Sequence, residues 1–459
     1  MAACTGSEPG QTKGDAKAMT VEIIPIGGLG EVGKNMTALG FDGKYIIVDM
    51  GIRLDSIMAF EDANIGDMSR EELININGIP DDTILHGRNV RAIVLTHGHL
   101  DHVGAVGKLV HAYNAPIYGT PFTIEITKRL LREERHFHIK NEFRTVAPGD
   151  AVKVDGIDIE FIPVTHSILH TALVLASNGG KSVLCASDFK LDEEPLLGYR
   201  TDRVRLKRLA GEGLFAAMVG TVRMDDPGPT LSEAYARRKL EEVMKEAVSS
   251  RGLILATTFS SHIVRLKSII DLSFEMGRTP VLVGRSLHNY CTAALDLGLV
   301  DFPPELHIHG RPNAVHNLLR EVQRSKEDFV LVCTGHQGEP TSVLTRIVDG
   351  QFPLRVENGD KVIFSASVIP NPINESNREL LETKLRAQGA HIYRDVHVSG
   401  HAGRVDTAEF IELVQPEHII PCHGTSDKLR LMLELGKELG YPSGHLHQLR
   451  NGSSLRLGE

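Results

Sequence analysis

One short stretch decides the fold of this chain: Thr96-His97-Gly98-His99-Leu100-Asp101-His102. The stretch follows an apolar run at 91–95, which places it in a loop at the carboxyl end of a buried strand. Side chains spaced by two residues can converge from one tight loop, and Gly98 would let the backbone turn closely around bound ions. Neutral imidazole and carboxylate are the ligands that zinc prefers. The order and spacing predict a metal-binding loop rather than a chance histidine cluster on a solvated surface.

Three later residues have the local setting of further metal ligands. His166 follows a predicted strand at 157–164, Asp188 follows one at 182–186, and His423 follows 419–421 and precedes a helix. Taken alone, each would more often be an ordinary polar residue. Beside the loop at 96–102, we expect all three to complete the site. His401 lies on a glycine-flanked loop, and we interpret it as a proton-transfer group rather than a ligand.

Length and composition limit the class of protein. A chain of 459 residues is too long for one ordinary core, so about two or three domains are expected. Hydrophobic residues make up 41% and charged residues 24%, which is typical of a soluble globular protein. The formal net charge of −9 argues against a protein that binds nucleic acid over its whole surface. An RNA substrate would have to be attracted by a local groove and by bound cations.

The apolar runs and the cysteines predict where in the cell the protein is located. Residues 1–19 are expected to be a flexible tail, because 1–18 are small, polar and without the apolar stretch of a signal peptide. No apolar run approaches the roughly 18–20 residues that span a bilayer. The five cysteines are scattered without a CxxC pair, which favours idle thiols in a reducing compartment. We therefore expect a cytoplasmic protein with no membrane contact.

The pattern of elements changes along the chain. The first 200 or so residues carry short β-branched runs, with helical patterns only at about 102–113 and 122–134, which favours stacked sheets over a doubly wound sheet. From about 213, helical stretches alternate with short apolar strands, which is typical of a parallel α/β unit. The strands predicted in the first part lie at 21–26, 36–41, 45–50, 90–95, 157–162, 173–176 and 182–186.

The ligand pattern resembles that of the metallo-β-lactamase superfamily. HxHxDH followed by a single His, a single Asp and a late His matches its order, and 27–35 and 48–51 match its opening strands. More narrowly, the chain resembles the ribonuclease J family of the β-CASP group at 334–340 (TGHQGEP), 363–370, 397–402 and 420–424. The resemblance covers essentially everything after residue 20. Because the long C-terminal extension of bacterial relatives is missing, the chain is most similar to the shorter archaeal type.

This resemblance implies an α/β fold, a metallo-β-lactamase αββα sandwich with an inserted β-CASP α/β domain. The implied division is 20–212 for the first part of the metallo-β-lactamase domain, 213–372 for the β-CASP domain and 373–459 for the return segment. It implies two Zn²⁺ ions per chain, with Mn²⁺ or Mg²⁺ as alternatives. One zinc would be held by His97, His99 and His166, the other by Asp101, His102 and His423, with Asp188 bridging them.

The chemistry implied is phosphodiester hydrolysis, with Asp101, Asp188 and His401 as catalytic residues. Two divalent ions and two carboxylates leave a residual charge of about +2, which attracts a phosphodiester even on an acidic protein. Asp49 is expected to orient a ligand imidazole, because such histidines usually donate their other nitrogen to an acceptor. The alternative for Asp49 is a strand-end aspartate that caps a turn.

The predicted β-CASP domain would cover the metals and form an RNA channel. Strand-to-helix junctions in it offer backbone amides and hydroxyls to a phosphate. Helix N-capping is the alternative role for any one serine. An acidic residue usual in the family is replaced by Gly220, and Val264 stands where its histidine is usual. The candidates for a 5′-monophosphate pocket and RNA contact are Ser260, Ser261, His262, Arg285, Ser286, Ser365, Ser367, Ser399, Gly400 and His401.

The function implied is a 5′→3′ exoribonuclease on single-stranded RNA that prefers 5′-monophosphate ends and releases mononucleotides, working as a homodimer. Alternatives are a β-CASP endoribonuclease, a catalytically silent RNA-binding scaffold, and a small-molecule hydrolase, against which the covering domain argues. Three histidine pairs lack a carboxylate pattern nearby in sequence, and we expect ordinary surface or core positions for them. These pairs are His136/His138, His307/His309 and His445/His447.

Overall fold

The computed structural model describes residues 19–58, 65–133, 139–248 and 251–458. The predicted tail at 1–18 and the pair His136/His138 lie outside the described residues. The strands of the first half are β1 (Val21–Gly27), β2 (Leu29–Gly30), β3 (Met36–Phe41), β4 (Lys44–Val48), β5 (Asn89–Leu95), β6 (Ile117–Gly119), β7 (Phe143–Thr145), β8 (Ala151–Val154), β9 (Ile157–Pro163), β10 (Ala172–Asn178), β11 (Lys181–Ala186) and β12 (Ala216–Gly220). The helices among them are α1 (Leu54–Met58), α2 (Arg70–Asn75), α3 (Leu100–Val103), α4 (Val106–Leu109), α5 (Pro121–Glu133) and α6 (Arg203–Glu212).

The second half of the chain alternates helices with strands. Its strands are β13 (Ile254–Thr257), β14 (Thr279–Val283), β15 (His307–His309), β16 (Phe329–Cys333), β17 (Lys361–Phe364), β18 (His391–Tyr393), β19 (His418–Cys422), β20 (Gly424–Thr425) and β21 (Leu455–Leu457). Its helices are α7 (Glu233–Val248), α8 (Ile263–Glu275), α9 (Arg285–Asp296), α10 (Pro312–Arg324), α11 (Val343–Val348), α12 (Pro372–Ala387), α13 (Arg404–Val414) and α14 (Ser426–Glu438).

Two sheets stack face to face. One has the strand order β21-β1-β3-β4-β5-β6-β7, and the other the order β19-β12-β11-β10-β9-β8. Buried side chains of both sheets, such as Ile23 and Val94 from the first and Phe161 and Val174 from the second, form one shared core. The outer faces pack on helices: α3 and α4 cover the first sheet, while α6, α13 and α14 cover the second. This is the predicted αββα sandwich.

The third sheet is parallel throughout, with the order β15-β14-β16-β13-β17-β18. Helices α7, α8 and α9 cover one face, and α10, α11 and α12 cover the other. Because its strands are buried on both faces, they read as continuous apolar runs rather than alternating ones. In such sheets the carboxyl ends of the strands meet at one edge, where ligands bind.

The end of the chain returns to the sandwich. Strand β19 pairs in parallel with β12 in the second sheet, and β21 pairs with β1 in the first. Strand β18, however, pairs with β17, so the ladder of the third sheet runs to Tyr393, beyond the division predicted at residue 372. The division of the chain into domains stays a prediction.

A buried carboxylate stabilises the contact of β21 with β1. Glu22 accepts hydrogen bonds from Ser454 (2.6 Å), from the Tyr45 hydroxyl and from Arg88 (2.9 Å). Burial raises the pKa of Glu22, but these three partners and Arg456 outweigh it, and the pKa falls to about 2. The last strand is therefore joined to the sandwich partly by a charged group.

One predicted helix differs from the structure. The pattern at 102–113 is broken into α3, α4 and a 3₁₀ turn at Val110–Ala112. Gly104 follows the end of α3, and its lack of a side chain is needed there, because a Cβ would lie 2.6 Å from the Leu100 carbonyl oxygen.

Candidate metal centre

The loop at 96–102 leaves the carboxyl end of β5 and is held by two neighbouring loops, one before β3 and one after β4. Asn35 N and Met50 N donate to the carbonyls of Asp101 and His102, at 3.0 and 2.8 Å. The close approach occurs at Gly51, where a Cβ would lie 1.6 Å from the Asp101 carbonyl oxygen. A Cβ on Gly98 would make contacts at 3.4 Å with Ile126 and Ile168, and the role expected of Gly98, a close turn of the backbone around bound ions, stays a prediction.

Four side chains form the first group of candidate ligands: His97, His99, His166 and Asp188. The His99 Nδ1 atom lies 3.2 Å from the Nε2 atoms of both His97 and His166. Both of those Nε2 atoms lie 3.4 Å from Asp188 Oδ2. A tetrahedral zinc with ligand bonds of about 2.0–2.1 Å separates its ligand atoms by about 3.3 Å. The four atoms fit one such ion.

The second group consists of Asp101, His102, Asp188 and His423. Asp101 Oδ2 lies 3.6 Å from His102 Nε2 and 3.5 Å from His423 Nε2. Asp188 approaches the same two rings, with Oδ2 at 3.5 Å from His102 and Oδ1 at 3.3 Å from His423. Asp188 Oδ1 is buried without a hydrogen-bond partner. A buried carboxylate oxygen in that state fits a metal ligand, because an unsatisfied one costs free energy.

The seven residues predicted from the sequence thus meet in two groups that share Asp188. Burial keeps the pKa of His97, His99 and His166 well below the ordinary value, so these rings are neutral and their lone pairs are free. Burial also lowers the pKa of His102, but Asp188, Asp101 and Asp49 outweigh it and raise the pKa well above the ordinary value. A bound cation would displace that proton.

Asp49 lies beneath the loop. Its Oδ2 is 2.7 Å from His102 Nδ1, and its Oδ1 accepts from Thr96 N at 2.8 Å. The Thr96 hydroxyl contacts Asp49 Oδ2 at 2.9 Å and His97 Nδ1 at 3.0 Å. One carboxylate therefore reaches two ligand rings, one directly and one through a hydroxyl, which fixes which nitrogen of each ring faces the site.

The other rings have partners from distant parts of the chain. His166 Nδ1 donates to the Gly400 carbonyl at 2.6 Å, and His99 Nε2 lies 3.2 Å from the Ser261 hydroxyl. A Cβ on Gly400 would lie 2.7 Å from Ser167, so only glycine allows this approach. The second contact joins the metal centre to the third sheet.

Sequence reasoning missed Asn35. Its Nδ2 lies 3.1 Å from His102 Nε2 and donates to the Asp101 carbonyl at 3.1 Å. Asn35 closes a glycine-rich run after β1, and this run was the available signal.

His401 lies beside the metal centre, with its Nδ1 3.9 Å from Asp188 Oδ2 and a side chain 26% exposed. Burial lowers the pKa of His401 to about 4; Asp188 acts in the opposite direction. The ring is neutral near pH 7, and the negative charge of a bound phosphodiester would raise that pKa. Its neighbour Ser399 accepts from the His401 backbone N–H at 3.1 Å.

Part of the predicted phosphate pocket comes together at the carboxyl edge of the third sheet. Ser260, after β13, lies 2.8 Å from Ser286 at the start of α9, hydroxyl to hydroxyl. Arg285 begins α9 and is exposed, and Ser367, after β17, is exposed. With Ser261 against His99, these residues line the side of the sheet that faces the metal centre.

Two predicted pocket residues do not face that space. Ser365 is fully buried, donates to the Val396 carbonyl at 2.7 Å and accepts from Arg265 at 2.8 Å. His262 is 3% exposed and caps α8 by accepting from the Arg265 backbone N–H. The fully buried Arg265 forms two hydrogen bonds with Glu233, at 2.6 and 2.9 Å. Ser365 and His262 were predicted to contact phosphate directly. Instead they belong to a buried polar network that joins α7, α8 and β17.

The structure shows the surroundings of Gly220 and Val264, the two residues that depart from the family pattern. A Cβ on Gly220 would lie 1.7 Å from the Ser187 carbonyl oxygen, so no acidic residue fits there without movement of the loop that carries Asp188. Val264 is buried in α8.

Of the histidine pairs expected to hold ordinary surface or core positions, His445/His447 differs from that expectation, whereas His307/His309 does not. His307 and His309 stack on β15 with ring centroids 6.0 Å apart and join no candidate metal group. His445, in contrast, meets Glu417 and His418 in a third group of possible ligands. The carboxylate that meets His445 is that of Glu417, the residue before β19, which is distant from His445 in the sequence.

Three protein-family models match the chain. "Metallo-beta-lactamase superfamily" matches residues 29–211, "Ribonuclease J, beta-CASP domain" matches 251–381, and "Zn-dependent metallo-hydrolase RNA specificity domain" matches 390–443. Ribonuclease J of Methanocaldococcus jannaschii is 43% identical over 442 residues, which cover 95% of this chain and 99% of that protein. The chain belongs to the ribonuclease J family. It is a hydrolytic nuclease of the metallo-β-lactamase fold.

Other relatives place it within that family. Ribonuclease J of Pyrococcus abyssi is 42% identical, with 95% of this chain and 97% of that protein covered. Ribonuclease J of Sinorhizobium meliloti is 31% identical, with 95% of this chain but 74% of that protein covered. A solved structure from Enterococcus faecalis, of a protein of unknown function, has a TM-score of 0.65 at 16% identity, covers 95% of this chain and 100% of that chain, and shows the fold alone. Within the described ranges, no helix is long and apolar enough to cross a membrane.

Proposed function

We propose that this ribonuclease J family member is a metal-dependent 5′→3′ exoribonuclease on single-stranded RNA. It prefers 5′-monophosphate ends and releases mononucleotides. The observation that carries the proposal is the pair of ligand groups sharing Asp188, placed against the carboxyl edge of the third sheet through the contact of His99 with Ser261. The complete ligand set favours an enzyme over a silent scaffold.

The cofactors proposed are two Zn²⁺ ions, with Mn²⁺ or Mg²⁺ able to take their place. Two such ions would supply a water of lowered pKa as nucleophile and would neutralise charge on the phosphodiester. The chain's own residues orient the ligands through Asp49 and Gly400, and Asp188 holds both groups in register. His401 takes up a proton beside the bound phosphodiester and transfers it to the leaving oxygen.

The 5′-monophosphate pocket proposed here consists of Ser260, Ser261, Arg285, Ser286 and Ser367. The exposed Arg285 supplies positive charge at the start of a helix, where backbone amides also favour an anion. A pocket that holds the chain end beside the metal centre sets where the first bond is cut. This geometry favours release of one nucleotide at a time.

The test compares one RNA sequence in three forms: with a 5′-monophosphate, with a 5′-triphosphate, and as a circle. Mononucleotides from the first, stalling on the second and an intact circle are expected. Linear fragments from the circle would make the protein an endonuclease. No hydrolysis of any form by metal-loaded protein would make it a scaffold.

The pocket is tested by Arg285→Gln, with Arg251→Gln as the matched control. Arg251 is also exposed, but it precedes β13 at the opposite edge of the same sheet. Loss of a charge-assisted contact to the terminal phosphate should reduce turnover of 5′-monophosphate RNA by roughly tenfold or more, with little change for 5′-hydroxyl RNA. Equal behaviour of the two variants would remove Arg285 from the pocket.

We also propose a homodimer that works in the cytoplasm. The described cysteines, Cys185, Cys291, Cys333 and Cys422, are buried free thiols, which fits a reducing compartment. Light scattering during gel filtration measures the mass in solution, and a monomer at micromolar concentration would contradict the dimer.

A further inference from the structure

A second histidine-carboxylate cluster lies at the other end of the strand that leads to His423. It consists of Glu417, His418 and His445, whose possible ligand atoms all lie within 4.8 Å of one another. His418 begins β19 and His423 follows the end of that strand. Five steps of about 3.3 Å put the two histidines roughly 16 Å apart. The cluster is therefore separate from the proposed catalytic centre.

The spacing within the cluster suits ligands better than hydrogen bonds. His418 Nε2 lies 3.6 Å from Glu417 Oε1. That distance is too long for a hydrogen bond, but it is close to the roughly 3.3 Å between two ligand atoms of one tetrahedral zinc. The rings of His418 and His445 have their centroids 4.7 Å apart. A small shift of the exposed Glu417 side chain would complete a three-ligand site.

The two rings are oriented as ligands usually are. His445 Nδ1 donates to the Glu417 carbonyl at 2.8 Å, which leaves its Nε2 as the free lone pair. His418 Nδ1 lies 3.0 Å from His447 Nε2, so it can donate there and keep its own Nε2 free toward Glu417. Ligand histidines almost always donate their second nitrogen to an acceptor of this kind, and this contact fixes the tautomer.

The site is open to ions in solution. A groove beside the cluster is lined by Glu412, Glu417, Glu438 and His445. Glu438 is paired with Arg404 at 2.6 Å, but the carboxylates of Glu412 and Glu417 around this groove favour a cation. Two imidazoles and a carboxylate with an open position are typical ligands of zinc and of other divalent transition metals.

The cluster also joins two parts of the chain. His445 and His447 belong to the segment between α14 and β21, and Leu446 between them forms an isolated bridge with Ile419 of β19. An ion held by Glu417, His418 and His445 would fasten this segment to the second sheet. Its role would be to stabilise the end of the chain, not to cut RNA.

We propose that Glu417, His418 and His445 bind a divalent transition-metal ion, with Zn²⁺ as the ion favoured by the ligand set, at a site distinct from the two ligand groups around Asp188. His447 is a positioning residue that orients His418. The proposal is independent of which RNA ends the protein prefers.

The test is metal content, measured on tag-free full-length protein. The protein is stripped with chelator, dialysed to equilibrium against buffered Zn²⁺ and analysed by mass spectrometry of the metal. The double variant His418→Ala/His445→Ala is compared with wild type and with His307→Ala/His309→Ala, another pair of histidines with adjacent rings that joins no metal group in the described ranges. The cluster variant should hold about one equivalent less than the other two proteins.

A more conservative variant distinguishes loss of a ligand from misfolding of the protein. Glu417→Gln changes one atom of an exposed side chain and should release the extra zinc at a chelator concentration roughly tenfold lower or more than wild type requires. In a protein whose catalytic ligands His166 and His423 are both replaced by alanine, about one zinc should remain, and Glu417→Gln should weaken it. Equal metal content in wild type and the cluster double variant, or no effect of Glu417→Gln, would overturn the proposal.

Discussion

Replacing Asp49 by asparagine removes a negative charge from beneath the metal-binding loop while keeping the size of the side chain. The carboxylate accepts from His102 Nδ1 at 2.7 Å on Oδ2 and from Thr96 N at 2.8 Å on Oδ1, and the Thr96 hydroxyl also contacts Oδ2 at 2.9 Å. An asparagine has only one acceptor oxygen. It cannot satisfy both donors, and the consequence depends on which way the amide turns.

If the amide nitrogen faces His102, the ring must accept at Nδ1 and carry its proton on Nε2, the atom that faces Asp101 and Asp188. That tautomer cannot bind a metal without losing its proton. If the amide nitrogen faces Thr96, the buried backbone N–H of Thr96 has no acceptor, which costs about 1–3 kcal/mol. Either way the metal-bound state loses about 1–3 kcal/mol, equivalent to a roughly 5- to 150-fold weaker metal affinity.

The assay titrates Mn²⁺ into chelator-treated protein and measures hydrolysis of a 5′-monophosphate RNA together with the metal retained after gel filtration. Asp49→Asn should raise the half-saturating metal concentration roughly 10- to 100-fold, with turnover recovering at saturating metal. Asp42→Asn is the matched control, because Asp42 also has a positive φ, +48°, but lies on an exposed turn. Identical metal dependence of Asp49→Asn and wild type would refute the reasoning.

His401→Ala should slow hydrolysis by roughly 10²–10⁴-fold while metal content stays unchanged, because the ring moves a proton and binds no ion; an unchanged rate would remove it from the mechanism. Arg265→Met leaves the buried Glu233 carboxylate without its guanidinium partner, with only His262 nearby, and should lower the free energy of unfolding by about 3–5 kcal/mol. Denaturant melts check this, and Arg265→Met/Glu233→Leu should recover part of the loss. The pKa of Glu22, near 2, lies below its ordinary value, so its stabilising contribution is present above about pH 4.5 and disappears as the pH falls toward 2. Glu22→Gln should therefore unfold at lower denaturant concentration than wild type at pH 7 but match it near pH 2; equal midpoints at pH 7 would contradict this.

The residues of the candidate metal centre could be predicted from the sequence because they lie in segments that follow the ends of strands. His166 follows β9, Asp188 follows β11 and His423 follows β19, and the strand order of the second sheet brings these ends to one edge. A short loop after a strand cannot move its side chains far. Their position after strands, together with the ligand order of the superfamily that the sequence resembles, therefore predicted which residues meet before the sheet order was known.

The contacts that the sequence did not show are those made between separate elements. Asn35 reaches Asp101 across two loops, and Glu417 meets His445 only because the segment after α14 folds back along β19. The pattern of apolar and polar residues within either segment does not predict such a contact. Pairing of this kind is a property of the tertiary fold.

The predicted phosphate pocket failed at Ser365 and His262 for a different reason. A polar residue between a strand and a helix satisfies the first backbone N–H groups of the helix whether or not a ligand is present, so the pattern cannot separate a cap from a binding site. What separates them here is Arg265: a fully buried guanidinium needs acceptors on every side, and the nearest polar groups are recruited to it. Ser365 accepts a hydrogen bond from Arg265, and His262 caps α8 and contacts Glu233. Ser260, Ser286 and Arg285 do not belong to this network. The buried arginine therefore determines which side chains at this edge of the sheet remain available to RNA.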